Sequence, residues 1–258
     1  MLDWLNAVPE WALGIAAILL LIGAAEGGVI IASPHKRAPE GVDRFLSTLA
    51  APSIGLLALM IGFTFSMALS RYEARVAEVV DAANTIGKAA LRGRMLPEPY
   101  RSAVIPLLKE YATLRVAREG EQVASSAMTA TNRRALEIQE RLWNEATVAA
   151  ASSPQVVPTG LFIESLNDVI DIFEKRLHAG RDRVPMPVFL MLEVIAMVAF
   201  GFTAFGAHWG SAYIRWPMWV MAALIGVVIT LIIDLDRTEN GLITVSQQPL
   251  LDMIETIK

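Results

Sequence analysis

The chain contains no cysteine at all, which removes disulfide frameworks, thiolate metal sites and cysteine nucleophiles together. It is also short of charge. Only 19% of its 258 residues are Asp, Glu, Lys or Arg, against about 25% in an ordinary soluble domain. Phosphate-binding loops, Gly-x-Gly-x-x-Gly, His-Glu-x-x-His and Gly-x-Ser-x-Gly are all missing. The three histidines, His35, His178 and His208, share no ligand spacing. A net charge of −4 and a pI near 5.5 leave no nucleic-acid footprint, and no cofactor is called for. No nucleophile–base pair stands out, so an enzyme is not expected. What the chain has instead is apolar bulk: 54% hydrophobic residues and a mean hydropathy of +0.47.

That bulk is concentrated in four stretches, each near the ~20 residues needed to cross a bilayer core. They are Trp11–Ala32, Leu49–Ser70, Pro187–His208 and Trp216–Ile233. Trp4, Trp11, Trp209, Trp216 and Trp219 lie at or near their ends, as an interfacial aromatic belt would. The first ten residues carry two acids and no Lys or Arg, unlike a secretory signal, so the first span is expected to stay in place. The spans form two pairs in sequence around the polar insert Arg71–Met186. This insert holds 16 of the 22 Lys/Arg and 15 of the 26 Asp/Glu. The expected divisions are therefore 1–70 for the first pair, 71–186 for a helical domain, 187–234 for the second pair and 235–258 for a tail.

Basic residues near span ends set orientation. The insert side carries Arg71, Arg75, Lys88, Lys175, Arg176, Arg181, Arg183 and Arg237, whereas the opposite side has Lys36, Arg37, Arg44 and Arg215. This imbalance predicts a cytoplasmic insert with both termini on the same side. Within the insert, helical spacing is expected over Tyr72–Met95, with Val76, Val79, Val80, Ala83, Ile86 and Ala90 on one face. Nothing between Ser70 and Ala90 would interrupt it apart from Gly87 near its end, so the helix is expected to continue from the second span. Tyr100–Arg118 should follow, then a loop over Glu119–Ala130 and a helix capped at Thr131 or Asn132. Gly160–His178 should place Leu161, Ile163, Leu166, Ile170 and Phe173 roughly together.

Three groups of residues could carry function. On the second span Gly55, Leu59, Phe63 and Met67 recur every fourth position, with Ser66 and Ser70 on a neighbouring face. In a ring of copies such a face would stack apolar side chains around an axis, and apolar constrictions gate by dewetting. Ordinary helix packing accounts for the same spacing. Carboxylates at membrane depth are costly, which singles out Glu26 and Glu193. Glu26 lies in Gly23-Ala-Ala-Glu-Gly-Gly28, whose small residues allow helices close approach. It is open whether it is a protonatable site, an ion ligand or a hydrogen-bonding brace. Finally, Asp234, Asp236 and Glu239 cluster after the last span and could hold a cation, although they lack EF-hand spacing and helix-exit charge is the better account.

Gly62-Phe-Thr-Phe-Ser-Met-Ala-Leu-Ser-Arg-Tyr-Glu-Ala-Arg75, Ala82-Ala-Asn-Thr-Ile-Gly87 and the tail from Asp234 to Leu250 together resemble the bacterial bestrophin-like domain family. More distantly they are similar to the bestrophin channels. The resemblance implies an all-α membrane protein, a homo-oligomeric ring of five, conducting monoatomic ions through a central pore in the bacterial inner membrane. Its neck would fall on Gly55, Leu59 and Phe63, with Ser66 and Ser70 as polar lining below. Gly55 stands where the family has a bulky neck residue, which implies a looser or shifted constriction. The tail acids would lie near the calcium clasp of animal members, but the long acidic run of the calcium-sensing proteins is missing. Two rival readings fit the same sequence: a non-conducting membrane scaffold or signalling protein, and a proton-driven stator-type subunit using Glu26.

Overall fold

The computed structural model describes residues 9–34, 42–116, 125–152, 156–179, 184–208, 215–237 and 241–257. Trp4, His35, Lys36, Arg37, Arg181, Arg183, Trp209 and Glu239 lie outside the described residues. Eight helices and no strand occur among the described residues: α1 (Glu10–Ala32), α2 (Val42–Gly93), α3 (Tyr100–Arg115), α4 (Ser125–Ser152), α5 (Val156–Ala179), α6 (Met186–Ala207), α7 (Trp216–Asp236) and α8 (Gln248–Thr256). Four of them, α1, α2, α6 and α7, are long and apolar enough to cross a membrane. Proline opens α6, α7 and α8 within the first turn, where its missing N–H costs nothing.

The chain divides into two compact units, and α2 contributes to both. In the first unit α1 packs against α6 and α7, so the spans adjacent in sequence are not the only neighbours in space. These contacts use small residues. A Cβ on Gly28 would stand 2.4 Å from the Gly201 carbonyl oxygen, and one on Gly226 would strike the Ile18 side chain. Where lipid replaces water, such close packing and interhelical hydrogen bonds hold helices together, because the hydrophobic effect no longer drives them. Leu21, Ala25 and Val29 of α1, Leu192, Ala196 and Phe200 of α6, and Ala222 and Ile229 of α7 form the buried cluster, joined by Leu57 of α2.

The second unit has a conventional side-chain core. Ile86 of α2, Leu108 and Tyr111 of α3, Ile138 and Leu142 of α4, Phe162 and Leu166 of α5, and Leu250 of α8 are almost completely buried in it. Tyr111 Oη accepts a hydrogen bond from Gln139 Nε2 at 3.1 Å, satisfying the polar tip of a buried aromatic.

The helix through the second span does continue unbroken into the second unit, as 52 residues of α2. Three expectations need correction. Helix α4 begins at Ser125, so Ser125–Ala130 is not loop and neither Thr131 nor Asn132 is the cap. The Ser/Ala/Thr content of that stretch has weak intrinsic preference, and the helix is carried by the buried Ala135, Ile138 and Leu142 further on. On α2 the buried face is Val79, Ala82, Ala83, Ile86, Ala89 and Ala90, while Val76 and Val80 stay exposed. On α5 Phe162, Leu166, Val169 and Phe173 are buried, one step round from Leu161 and Ile163. The tail also contains α8, whose Leu250 and Met253 enter the core.

Candidate functional site

Gly55, Leu59, Phe63, Ser66 and Ser70 all lie exposed on the membrane half of α2. Leu59 is 53% exposed and Phe63 63%, although both are large apolar side chains. At about 100° per residue the five fall within an arc of about 80° on one side of the helix. The two serines therefore share the apolar arc instead of occupying a separate face. The opposite side, with Leu57, Thr64 and Ala68, is buried. Apart from the helix's own backbone and chain neighbours, no atom comes within 4 Å of a Cβ added at Gly55 or at Gly62 beside the arc, so this side is open along two turns.

Hydroxyl partners separate this arc from the rest of the spans. Thr64 Oγ1 donates to the Met60 carbonyl, Thr203 to Ala199 and Thr230 to Gly226, each at 2.7 Å and one turn back. These groups are spent inside their own helices. Ser66 and Ser70 make no hydrogen bond among the described residues. Their hydroxyls are available to whatever covers the arc.

The two membrane-depth acids have opposite surroundings. Glu26 accepts hydrogen bonds from Arg215 Nη1 at 3.1 Å and Trp219 Nε1 at 3.0 Å. Its side chain is 26% exposed, and the ion pair ties α1 to the start of α7. Gly27 and Gly28 beside it let α1 approach its neighbours, so the small residues and the acid act at one place. Neither Arg215 nor Trp219 is detectable as a partner from sequence, because they lie 189 and 193 residues away. Glu193 on α6 has a buried Oε1 without a hydrogen-bond partner.

After α7, Asp234 and Asp236 are buried and occupied by backbone amides. Asp234 Oδ1 accepts from Leu242 N at 2.7 Å and Oδ2 from Ile243 N at 3.0 Å. A Cβ at Gly241 would meet Asp234 Oδ1 at 2.5 Å, so glycine is what lets the returning chain reach the carboxylate. Asp236 Oδ1 accepts from Val184 N at 2.8 Å, fastening the start of α6 to the end of α7. No group of three or more potential metal ligands is assembled among the described residues. The two aspartates thus work as buried acceptors that fold the chain back, a role the acidic run did not reveal.

These features coincide with a family match. The bestrophin-like domain model matches residues 18–250, which includes all four apolar helices in whole or large part and nearly the whole second unit. The chain belongs to the bestrophin-like family. No curated protein matches it closely enough to count as a relative. Among solved structures, a bacterial bestrophin homologue from Klebsiella pneumoniae, phased on zinc, is 15% identical, with a TM-score of 0.62 over 94% of this chain and 95% of that one. A point mutant of a Klebsiella pneumoniae homologue gives 14% and 0.64 over 94% and 95%. A structure described as a membrane protein gives 16% and 0.65 over 94% and 99%. At such identities the likeness concerns the fold, and this bestrophin-like chain shares it over nearly its full length.

Proposed function

We propose that this bestrophin-like protein is an ion channel of the bacterial inner membrane. Identical chains, five in the ring, surround a central pore with α2 innermost. The spans cross the bilayer with both termini and the 71–186 domain in the cytoplasm. Gly55, Leu59 and Phe63 form an apolar neck, and Ser66 and Ser70 offer hydroxyls to ions just below it. Monoatomic ions pass passively; no cofactor and no covalent step is needed.

One observation carries this reading: the arc of α2 holding Leu59 and Phe63 is uncovered in the single chain, with two unspent serine hydroxyls in the same arc. Family membership supplies the expectation of conduction, and the arc supplies a surface suited to it. Stacked apolar rings exclude water until they widen, which is how such a neck resists ion passage. Truncating a ring side chain should weaken that resistance. Phe63→Ala is expected to raise ion flux in reconstituted liposomes several-fold over wild type. Unchanged flux with a folded variant would remove Phe63 from the neck. The proton-driven stator reading needs a free carboxylate at Glu26, and that carboxylate is already engaged by Arg215 and Trp219.

A further inference from the structure

Buried polar atoms without partners are rare in folded proteins, and in a membrane each is costly. Among the described residues such side-chain atoms occur on Arg71, Arg75, Arg115, Glu193 and Gln247. Three of these residues have other engagements. Gln247 donates through Nε2 to Val245, Arg115 lies over the Tyr111 and Phe173 rings, and Arg75 has a polar interaction of its own. Arg71 and Glu193 have none. One is a cation with an idle Nε, the other an anion with an idle Oε1, and both belong to the first unit.

Their places in the helices bring them to a common depth. Arg71 follows the uncharged run 49–70 of α2. Glu193 lies seven residues into α6, about 10 Å along its axis. The insert leaves the membrane at the first and re-enters at the second, so both belong to the same side. Side chains on a helix lean toward its N-terminus. On α2 that direction leads Arg71 back into the span, and on α6 it leads Glu193 out toward the insert. Each leans toward the other's level. Glu193 also sits at the edge between the buried Leu192 and Ala196 and the exposed Leu190 and Val194, so that its Oε1 is covered by its own chain while the rest of the half-buried carboxylate stays open to a neighbouring one, as the rest of the half-buried Arg71 guanidinium does beyond its covered Nε.

We infer that Arg71 of one chain and Glu193 of the next form an ion pair that closes each interface of the ring. A head-to-tail ring needs two different complementary patches on every subunit, and an idle cation on one helix with an idle anion on another supply them. The pairing rests on the oligomeric pore reading and adds the contact that fixes neighbour to neighbour. Without it each subunit would hold two unpaired charges of opposite sign at membrane depth, each of them costly there.

The absence of cysteine makes the test clean. The mass of the wild-type particle in detergent is measured first; a monomer overturns the pore reading and the pair with it. With an oligomer in hand, Arg71→Cys and Glu193→Cys chains carrying different tags are co-expressed and treated with a flexible bismaleimide, because an Arg–Glu pair can hold its Cα atoms further apart than a disulfide bridges. A cross-link joining the two tags supports the pair, and its absence overturns it while leaving the oligomer standing. In the double variant, cross-linking confined within single chains likewise overturns it. Charge reversal gives a second route. Arg71→Glu or Glu193→Arg alone should lower subunit association about tenfold or more, and the two together should restore it. If the double reversal is as weak as either single one, Arg71 is held by something else, such as a lipid phosphate, and the pair is overturned.

Discussion

The two units are held together by opposite means. In the first, helices touch where side chains are smallest: Gly28 against the backbone of Gly201, Gly14 against Thr230, Gly226 against Ile18. In the second, the contacts are made by the largest side chains, with Tyr111, Phe162, Ile86 and Leu142 nearly fully buried. The difference follows from the surroundings each must fold in. Water rewards burial of apolar bulk by about 25 cal/mol per Å², so the second unit gains by interlocking large groups. Lipid gives no such reward, and the first unit gains by bringing backbones close enough for dispersion and polar contacts. One chain thus obeys two packing rules, and the change falls along a single helix, α2.

The comparison is sharpened most by removing bulk where bulk matters. Phe162→Ala should cost the second unit about 3–5 kcal/mol, read by denaturant unfolding followed through Trp143. Amide exchange in α1 and α6 should be unchanged; equal loosening there would mean the two packing regimes are not separate. Adding bulk tests the other side. Gly28→Ala should destabilise the span cluster by about 1–3 kcal/mol in a mixed-micelle unfolding titration, because its methyl would meet the Gly201 backbone. Gly27→Ala, with nothing within 4 Å, should be neutral or stabilising by about 0.5–1 kcal/mol. Equal effects at the two glycines would break the comparison.

The smallest effect concerns the aqueous surface. Glu98 accepts from Ser102 Oγ at 2.7 Å and from Arg101 Nε at 2.8 Å at the start of α3. The Ser102 hydroxyl first, and then Arg101, hold its carboxyl below the usual carboxylate range. A carboxyl lowered on folding stabilises at pH values above that range, and the contribution fades as pH falls through the lowered value. Amide exchange over residues 100–103 should therefore quicken on acidification, beyond the intrinsic pH dependence. The amides of the span interiors should show no matching change.

Much of this was legible in advance, and the part that was not has a physical cause. The spans announce themselves because hydropathy is a local property. The continuity of α2 was legible too, since no proline and only Gly87 occurs between Ser70 and Ala90. The start of α4 was not, because Ser125–Ala130 borrows its helicity from a core packed further along the chain. The small residues around Glu26 pointed to close approach, but Gly201 and Arg215 could not be named without the fold. The aspartates after α7 were the least legible. A carboxylate that accepts amide hydrogen bonds and one that binds a cation look alike in sequence, and the return of Leu242 and Ile243 to Asp234 is visible only in the fold.

The crossing at Gly28 and Gly201 has a thermal consequence. Heat capacity of unfolding tracks apolar surface newly exposed to water. Parting α1 from α6 exposes that surface to lipid, so this contact adds almost nothing to the heat capacity. Its stability should run nearly straight with temperature, while that of the Phe162 core bends over a maximum and weakens on cooling. Chilled, the protein keeps its grip inside the bilayer longer than outside it.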